Sequence, residues 1–436
     1  MARNDNIWEG TARPSLDDTP AILYSLRMRN IMRPGPLASA PLLLCACLPL
    51  LSCARSRAVS TIEAEELFTL SYGSFEDEID MFDLSSMGSI GTSVVMRDGF
   101  FYIANGEARK IMELNSYGDL LMLYYNEDHN PAPSFLSEET GASLTRRAAG
   151  FPFSQIGAIA VDPGKRLYAV DTLPSGQQET AAMAGGARHA LSQVVLRFDP
   201  EGNFMDYLGQ QGPGGTPFPF ISAIYATENS ELVVVTRTGD AMVVFWFNRD
   251  GYPLYKIPIL PQNVPNPYSD TDSWLSMETV VPGLTERTLF IKVDYFSNYV
   301  DEASRIQSGI DYRGTLLYPL DVESGVFSSP LSIPPYSDGG YLGRESYDIP
   351  YDFLGVTENN WFFFIVGTES GFGIQMVQGD GGRILTRRVP LDRKENLYCS
   401  FSLSREGILS VLLARAEDVA VDWWRTDELI LSVLKD

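Results

Sequence analysis

Apolar residues in this chain come in short runs separated by turn chemistry, and the runs recur in groups of four. The clearest group spans 157 to 209. It opens as Gly157-Ala-Ile-Ala-Val-Asp-Pro-Gly-Lys-Arg-Leu-Tyr-Ala-Val-Asp171 and resumes as Val194-Val-Leu-Arg-Phe-Asp-Pro-Glu-Gly-Asn-Phe-Met-Asp-Tyr-Leu-Gly209. Asp162-Pro-Gly164 and Asp199-Pro-Glu-Gly202 supply the turns, because Asp bonds its own backbone, Pro fixes φ and Gly accepts positive φ. The group therefore reads as one four-stranded antiparallel unit.

Variants of the unit fill most of the chain. Val95, Tyr102 and Asn105 repeat the spacing of Val161, Tyr168 and Asp171, and Asn115-Ser-Tyr-Gly118 matches the Asp199 turn. Further units follow at 223–255, 278–327, 353–385 and 401–424, with no helix expected anywhere after the N-terminal segment. Six such units predict an all-β, six-bladed β-propeller, a fold that hides strand edges by closing a ring. The sixth unit is one strand short. Leu67–Gly73 is an orphan strand near the other end, and it is expected to complete the last blade and latch the ring.

Composition refines this picture at the front of the chain. Arg27, Arg29 and Arg33 precede an apolar, Pro-broken run from Leu37 to Ser52, followed by Cys53. That is the layout of an export signal, too short for a spanning helix. Leu50-Leu-Ser-Cys53 resembles the bacterial lipobox, which makes Cys53 the expected lipidated residue. The acidic residues before Met28 do not suit a signal, so translation is expected to begin at Met28 or Met32. The chain thus divides into a signal peptide (1–52), a lipidated tether (53–65) and a propeller (66–436). The implied location is the bacterial cell envelope, held to the membrane through the N-terminal lipid.

Cysteine count and charge narrow the partners. With the signal removed only Cys53 and Cys399 remain, and a lipid on the first leaves no intrachain disulfide. A formal charge of −23 without a basic cluster argues against nucleic acid as a partner. No cofactor or metal is expected. The acidic stretch Glu76 to Asp83 lacks the EF-hand spacing and reads as a solvated loop.

The run Ala160-Val-Asp-x-x-Gly-x-Leu-Tyr-x-x-Asp171 with Arg197-Phe-Asp-x-x-Gly202 resembles NHL-repeat six-bladed propellers. The ending Phe401-Ser-Leu-Ser-x-x-Gly-Ile-Leu-Ser410 with Trp423-Trp-Arg-Thr-Asp427 is similar to an uncharacterised family of spirochaete-type lipoproteins with NHL-like repeats. The resemblance implies fold and envelope location and carries over no catalytic residue.

Nucleophile-elbow, P-loop and zinc-helix signatures are absent, and His129 and His189 both fall in predicted loops. The distribution of loop length is more informative. First and third turns are mostly tight, whereas the opposite face collects the long connections 126–152, 172–193, 261–273, 295–313 and 333–349. Long connections of this kind commonly carry function. Arg188, His189, Tyr295, Tyr299, Arg305, Tyr312, Tyr336, Tyr341, Arg344 and Tyr347 give that face the composition of a recognition surface. A binding or scaffolding module for a protein or other envelope ligand is the function expected. The alternative is a metal-assisted, lactonase-like hydrolase, for which Asn105, Asp171 and Asp294, each ending a second strand, would have to converge on the axis.

Overall fold

The computed structural model describes residues 60–81, 90–136, 145–182, 188–239, 241–268, 272–300, 307–337, 348–392 and 394–435. Cys53 and the signal segment lie outside them. From Ala58 onward the chain is one compact unit, and it is a six-bladed propeller. The inner, second, third and outer strands of blade 1 are Ser93–Arg97, Phe100–Asn105, Lys110–Leu114 and Leu120–Tyr125. Blade 2 is Ile156–Val161, Leu167–Thr172, Gln193–Phe198 and Phe204–Gly209, and blade 3 is Phe220–Ala226, Leu232–Thr238, Ala241–Phe247 and Pro253–Ile259. Blade 4 is Ser273–Pro282, Thr288–Val300, Gln307–Asp321 and Leu331–Ile333, and blade 5 is Asp352–Val356, Trp361–Thr368, Gly371–Gln378 and Ile384–Pro390. Blade 6 takes Tyr398–Leu403, Leu409–Ala414 and Asp418–Trp424 from the C-terminal end, and its outer strand is Glu65–Ser71. The expected latch is therefore present, two residues earlier than the sequence placed it.

The middle strands are buried on both faces, which explains their nearly unbroken apolar runs. In Leu232-Val-Val-Val235 the side chains alternate. Leu232 and Val234 pack towards blade 2, Val233 and Val235 towards blade 4. The same alternation around the ring divides the core into six apolar layers, one between each pair of neighbouring blades. The sixth layer joins Phe68, Leu70, Leu412 and Val421 of blade 6 to Phe101 and Leu114 of blade 1, so the ring closes through packing as well as pairing.

Turn chemistry repeats with the blades. Asn115, Asp199 and Asn248 each accept a backbone N–H four residues on at 2.7–3.0 Å. Gly118, Gly202 and Gly251 then take φ of +83°, +93° and +88°, a region that costs a residue with a Cβ. A register shift recurs in the inner strands of blades 2 to 5, between Ile156/Ile159, Ile221/Ala223, Met277/Thr279 and Phe353/Gly355. Such bulges twist a strand more sharply.

Three features depart from the sequence reading. The stretch 295–313, expected as a loop, is largely strand, because the second and third strands of blade 4 run on as a long hairpin. Blades 1 and 2 each gain a fifth strand, Arg147–Gly150 (parallel) and Gly212–Pro213. A helix, Thr426–Lys435, follows the last strand. Among the described residues no helix is long and apolar enough to cross a membrane.

Candidate functional site

The long connections gather, as expected, on the side of the second turns and inter-blade links, and three of them are built as hairpins. Glu179–Ala182 pairs with Arg188–Leu191, and Tyr336–Ser337 with Asp348–Ile349. The third is the blade 4 ribbon. Its inner neighbour stops pairing at Ser273 opposite Ser297 and its outer neighbour at Ile333 opposite Thr315, whereas the ribbon itself continues to Val300 opposite Gln307. Two strands thus extend beyond the sheet that supports them, and an isolated two-stranded ribbon is only marginally stable in water.

One face of the ribbon carries an aromatic row. Trp274 lies opposite Phe296 with rings stacked 6.2 Å apart, and Phe296 lies opposite Tyr312 with rings 6.0 Å apart. One step further out Ile310 is 65% exposed, and Tyr299 and Val300 near the ribbon end are 45% and 47% exposed. Trp274 retains 39%.

The sequence-predicted residues separate on this geometry. Tyr299 is exposed, as a recognition residue must be. Tyr312 and Tyr336 are half-buried: Tyr312 shares a 2.8 Å hydrogen bond with Thr315, and Tyr336 packs edge-on against Tyr351. Tyr295 requires correction. It is fully buried, on the strand face shared with Ile291 and Val293, and its hydroxyl donates to the Pro265 carbonyl at 2.5 Å. Strand alternation turns it into the layer between blades 3 and 4, away from solvent. The backbones of Arg188 and His189 lie in a hairpin, their side chains outside the description; Arg305, Tyr341, Arg344 and Tyr347 lie outside the described residues. Trp274 and Ile310 were missed, although an isolated Trp among Asp272, Ser273 and Ser276 was a legible signal.

The residues considered for a hydrolase have other occupations. Asp171 accepts the backbone N–H groups of Ser154 and Gln155 at 3.1 and 2.7 Å. Burial pushes its carboxyl up, against those hydrogen bonds. Asn105 donates to the Asp80 carbonyl at 2.5 Å and to Thr92 at 2.9 Å, again gripping the chain on its way into an inner strand. Asp294 is 2.5 Å from the buried Lys292 Nζ and also accepts from Thr315. Among the described residues no three His, Cys, Asp or Glu side chains are grouped to hold a metal ion.

On the tight-turn side the inner strands of all six blades line one axial cavity of about 240 Å³, walled by side chains such as Val95, Ile224, Tyr225, Leu354 and Phe401. Tyr225 lies deep in the molecule yet keeps surface on the cavity, and burial raises its phenol. Charges converge at the mouth. Glu228 of blade 3 receives Arg97 Nη2 of blade 1 on one carboxylate oxygen and Arg405 Nη1 of blade 6 on the other, both at 2.8 Å. Arg405 also meets Asp98 at 3.3 Å and Glu406 at 2.5 Å. Arg97 Nη1 donates to the Val161 carbonyl of blade 2 at 3.3 Å. The Glu228 N–H donates to Leu284 O of blade 4 at 2.8 Å, and the Glu358 N–H of blade 5 to Arg405 O at 2.9 Å. All six blades meet in one polar hub. With both oxygens of Glu228 held by guanidinium groups, the hub is a clamp and not a poised base.

No family model matches the chain, and no curated protein does either. Among solved structures it is similar to a streptogramin B lyase, at 13% identity over 79% of this chain and 97% of that one, with a TM-score of 0.35. It is also similar to a hydrazine synthase of Kuenenia stuttgartiensis (12%, 78% and 98%, TM-score 0.39) and to the polysaccharide lyase Uly1 (6%, 83% and 99%, TM-score 0.38). Similarity at this level transfers no chemistry. The six-bladed assignment rests on strand pairing and on the six inter-blade layers.

Proposed function

We propose that the chain is an NHL-like propeller lipoprotein of the bacterial cell envelope, anchored through a lipid on Cys53, whose propeller binds a protein partner through its long-loop face. The observation that carries the reading is the blade 4 ribbon. It carries Tyr299, Val300 and Ile310 beyond its supporting strands, with Trp274 exposed beside them at the start of the inner strand, and aromatic anchors of this kind dominate binding energy at protein interfaces. The role is one of binding, with the axial hub keeping the scaffold rigid behind it.

Two experiments test the halves of this reading separately. For the anchor, Cys53→Ser should abolish fatty-acid labelling and shift the protein from the detergent phase to the aqueous phase; persistent labelling would reassign the lipid, with Cys47 of Leu44-Cys-Ala-Cys47, in the same apolar run, next in line. For the face, partners copurified with the lipidated protein are measured against Trp274→Ala and Tyr299→Ala. Each should weaken binding about thirtyfold or more, given that interface hot spots contribute about 2 kcal/mol or more. Glu201→Lys, on a tight turn of blade 2, should bind as the parent does. The opposite ranking would place the interface on the other face.

A further inference from the structure

Between blades 5 and 6 runs a groove of about 710 Å³, separate from both the ribbon and the axial cavity. Leu391, Leu413 and Trp424 contribute apolar surface to it. Into this lining comes Asp422, from the third strand of blade 6. It shares a strand face with Ala420 and Trp424, both part of the apolar layer between the two blades. Asp422 is only 7% exposed, and its Oδ1 has no hydrogen-bond partner. Arg415 lies 3.9 Å away, beyond hydrogen-bond reach, and the same Nη2 is already bonded to Glu66 at 2.7 Å. Burial pushes the Asp422 carboxyl up to about 6, with Arg415 opposing and Glu66 adding to the rise, as befits a buried charge left undercompensated. A second acceptor in the groove is also unsatisfied. Asn396 Oδ1 is buried without a partner, while its Nδ2 donates to the Asp392 carbonyl at 2.8 Å.

The chemistry of a fitting guest follows from this inventory. Two unsatisfied acceptors, against one unpaired donor, Trp424 Nε1, call for a group that mainly donates, and a protonated primary amine offers three N–H groups. Charge agrees: among the described residues Asp392, Glu395, Glu417, Asp418 and Asp422 line the groove against Lys394 and Arg415, a formal excess of three negative charges. The apolar surface suits a methylene stem between charged ends, as long amines lay their stems on apolar surface and keep their heads polar. We infer that the groove between blades 5 and 6 is a binding site for an aliphatic diamine or polyamine, with one ammonium on Asp422 and Asn396, the stem along Leu391 and Leu413, and the second ammonium at the acidic rim.

The test is calorimetric titration of the full-length protein with 1,4-diaminobutane and with spermidine at constant ionic strength, alongside 1,4-butanediol as the uncharged analogue. Both amines should bind and raise the melting temperature while the diol does neither, and Asp422→Asn should cut amine affinity at least tenfold with an unchanged near-ultraviolet circular dichroism spectrum. Lys394→Glu, an exposed rim change that adds acid without touching the interior, should tighten binding severalfold and decides the matter if the Asn variant does not fold. The assignment is overturned if the diol binds as well as the amines, if no amine binds at millimolar concentration, or if neither substitution changes the affinity.

Discussion

A chain that begins at Ser74 should melt roughly 5 to 10 °C below one that begins at Ala54. The difference is the latch strand Glu65–Ser71, which pairs along Asp418–Trp424 from Glu65 opposite Trp423 to Ser71 opposite Asp418. It also places Phe68 and Leu70 in the layer between blades 6 and 1, where Phe68 packs edge-on against Phe101 at 5.6 Å. Two such side chains contribute about 1.5–3 kcal/mol each, so the packing term alone is about 5 kcal/mol. Polar ties add to it: Arg415 to Glu66 at 2.7 Å, and Trp423 Nε1 donating to Glu65 at 2.9 Å. Without the strand, Asp418–Trp424 becomes a free edge, and free edges aggregate. The shortened chain also loses the backbone bonds between residues 60–62 and Arg388 of blade 5. Phe68→Asp in the longer chain isolates the latch from that second contact and should reproduce most of the loss. Equal melting of all three proteins would mean that blade 6 is held without its fourth strand.

The latch was legible because its evidence was a mismatch in counting, one strand missing at one end and one to spare at the other. Most of the blades were legible for a local reason. Asx side chains and left-handed glycines mark the third turns at Asn115, Asp199 and Asn248 whatever the rest of the fold does. The blade 4 ribbon was not legible. Tyr295 to Arg313 mixes Tyr, Ser, Asn and Asp, and a ribbon standing beyond its sheet lacks the apolar alternation that marks a strand with one face on a core. Tyr295 was misplaced for the complementary reason, since its hydroxyl reads as surface chemistry until Pro265 O appears as its partner. The C-terminal helix was within reach: Asp427 and Glu428 sit in its first turn, and Leu429, Ile430, Val433 and Leu434 follow a helical stripe. The axial hub could not have been read at all. Arg97, Glu228 and Arg405 lie in three different turns, and only closure of the ring brings them together.

That hub yields the second large effect. Glu228→Ala should lower stability by about 3 kcal/mol, near the lower end of what removal of one partner from a buried ion pair costs. The low end applies because the pairs are not sealed from water: the Glu228 side chain is 17% exposed, with Arg97 at 12% and Arg405 at 36%. The substitution leaves Arg97 and Arg405 facing each other over the cavity mouth with their shared counter-charge gone, so it adds repulsion to lost bonding. Glu228→Gln keeps the shape and one acceptor and should lose less. A surface pair provides the contrast, because Glu428, 64% exposed and 2.9 Å from Arg425, should change stability by only about 0.5 kcal/mol or less on conversion to Gln. The decisive variant replaces the three charges of the clamp and leaves only Asp98 and Glu406, which at 41% and 33% are more exposed than Glu228. Arg97→Met, Glu228→Leu and Arg405→Met together should recover much of what Glu228→Ala loses, since apolar groups of similar volume can replace a buried ion network at little cost. Urea unfolding at neutral pH ranks the four variants against the parent. If Glu228→Ala unfolds at the same midpoint as the parent, the three turns are held by their backbones alone and the hub is an ordinary surface ion pair.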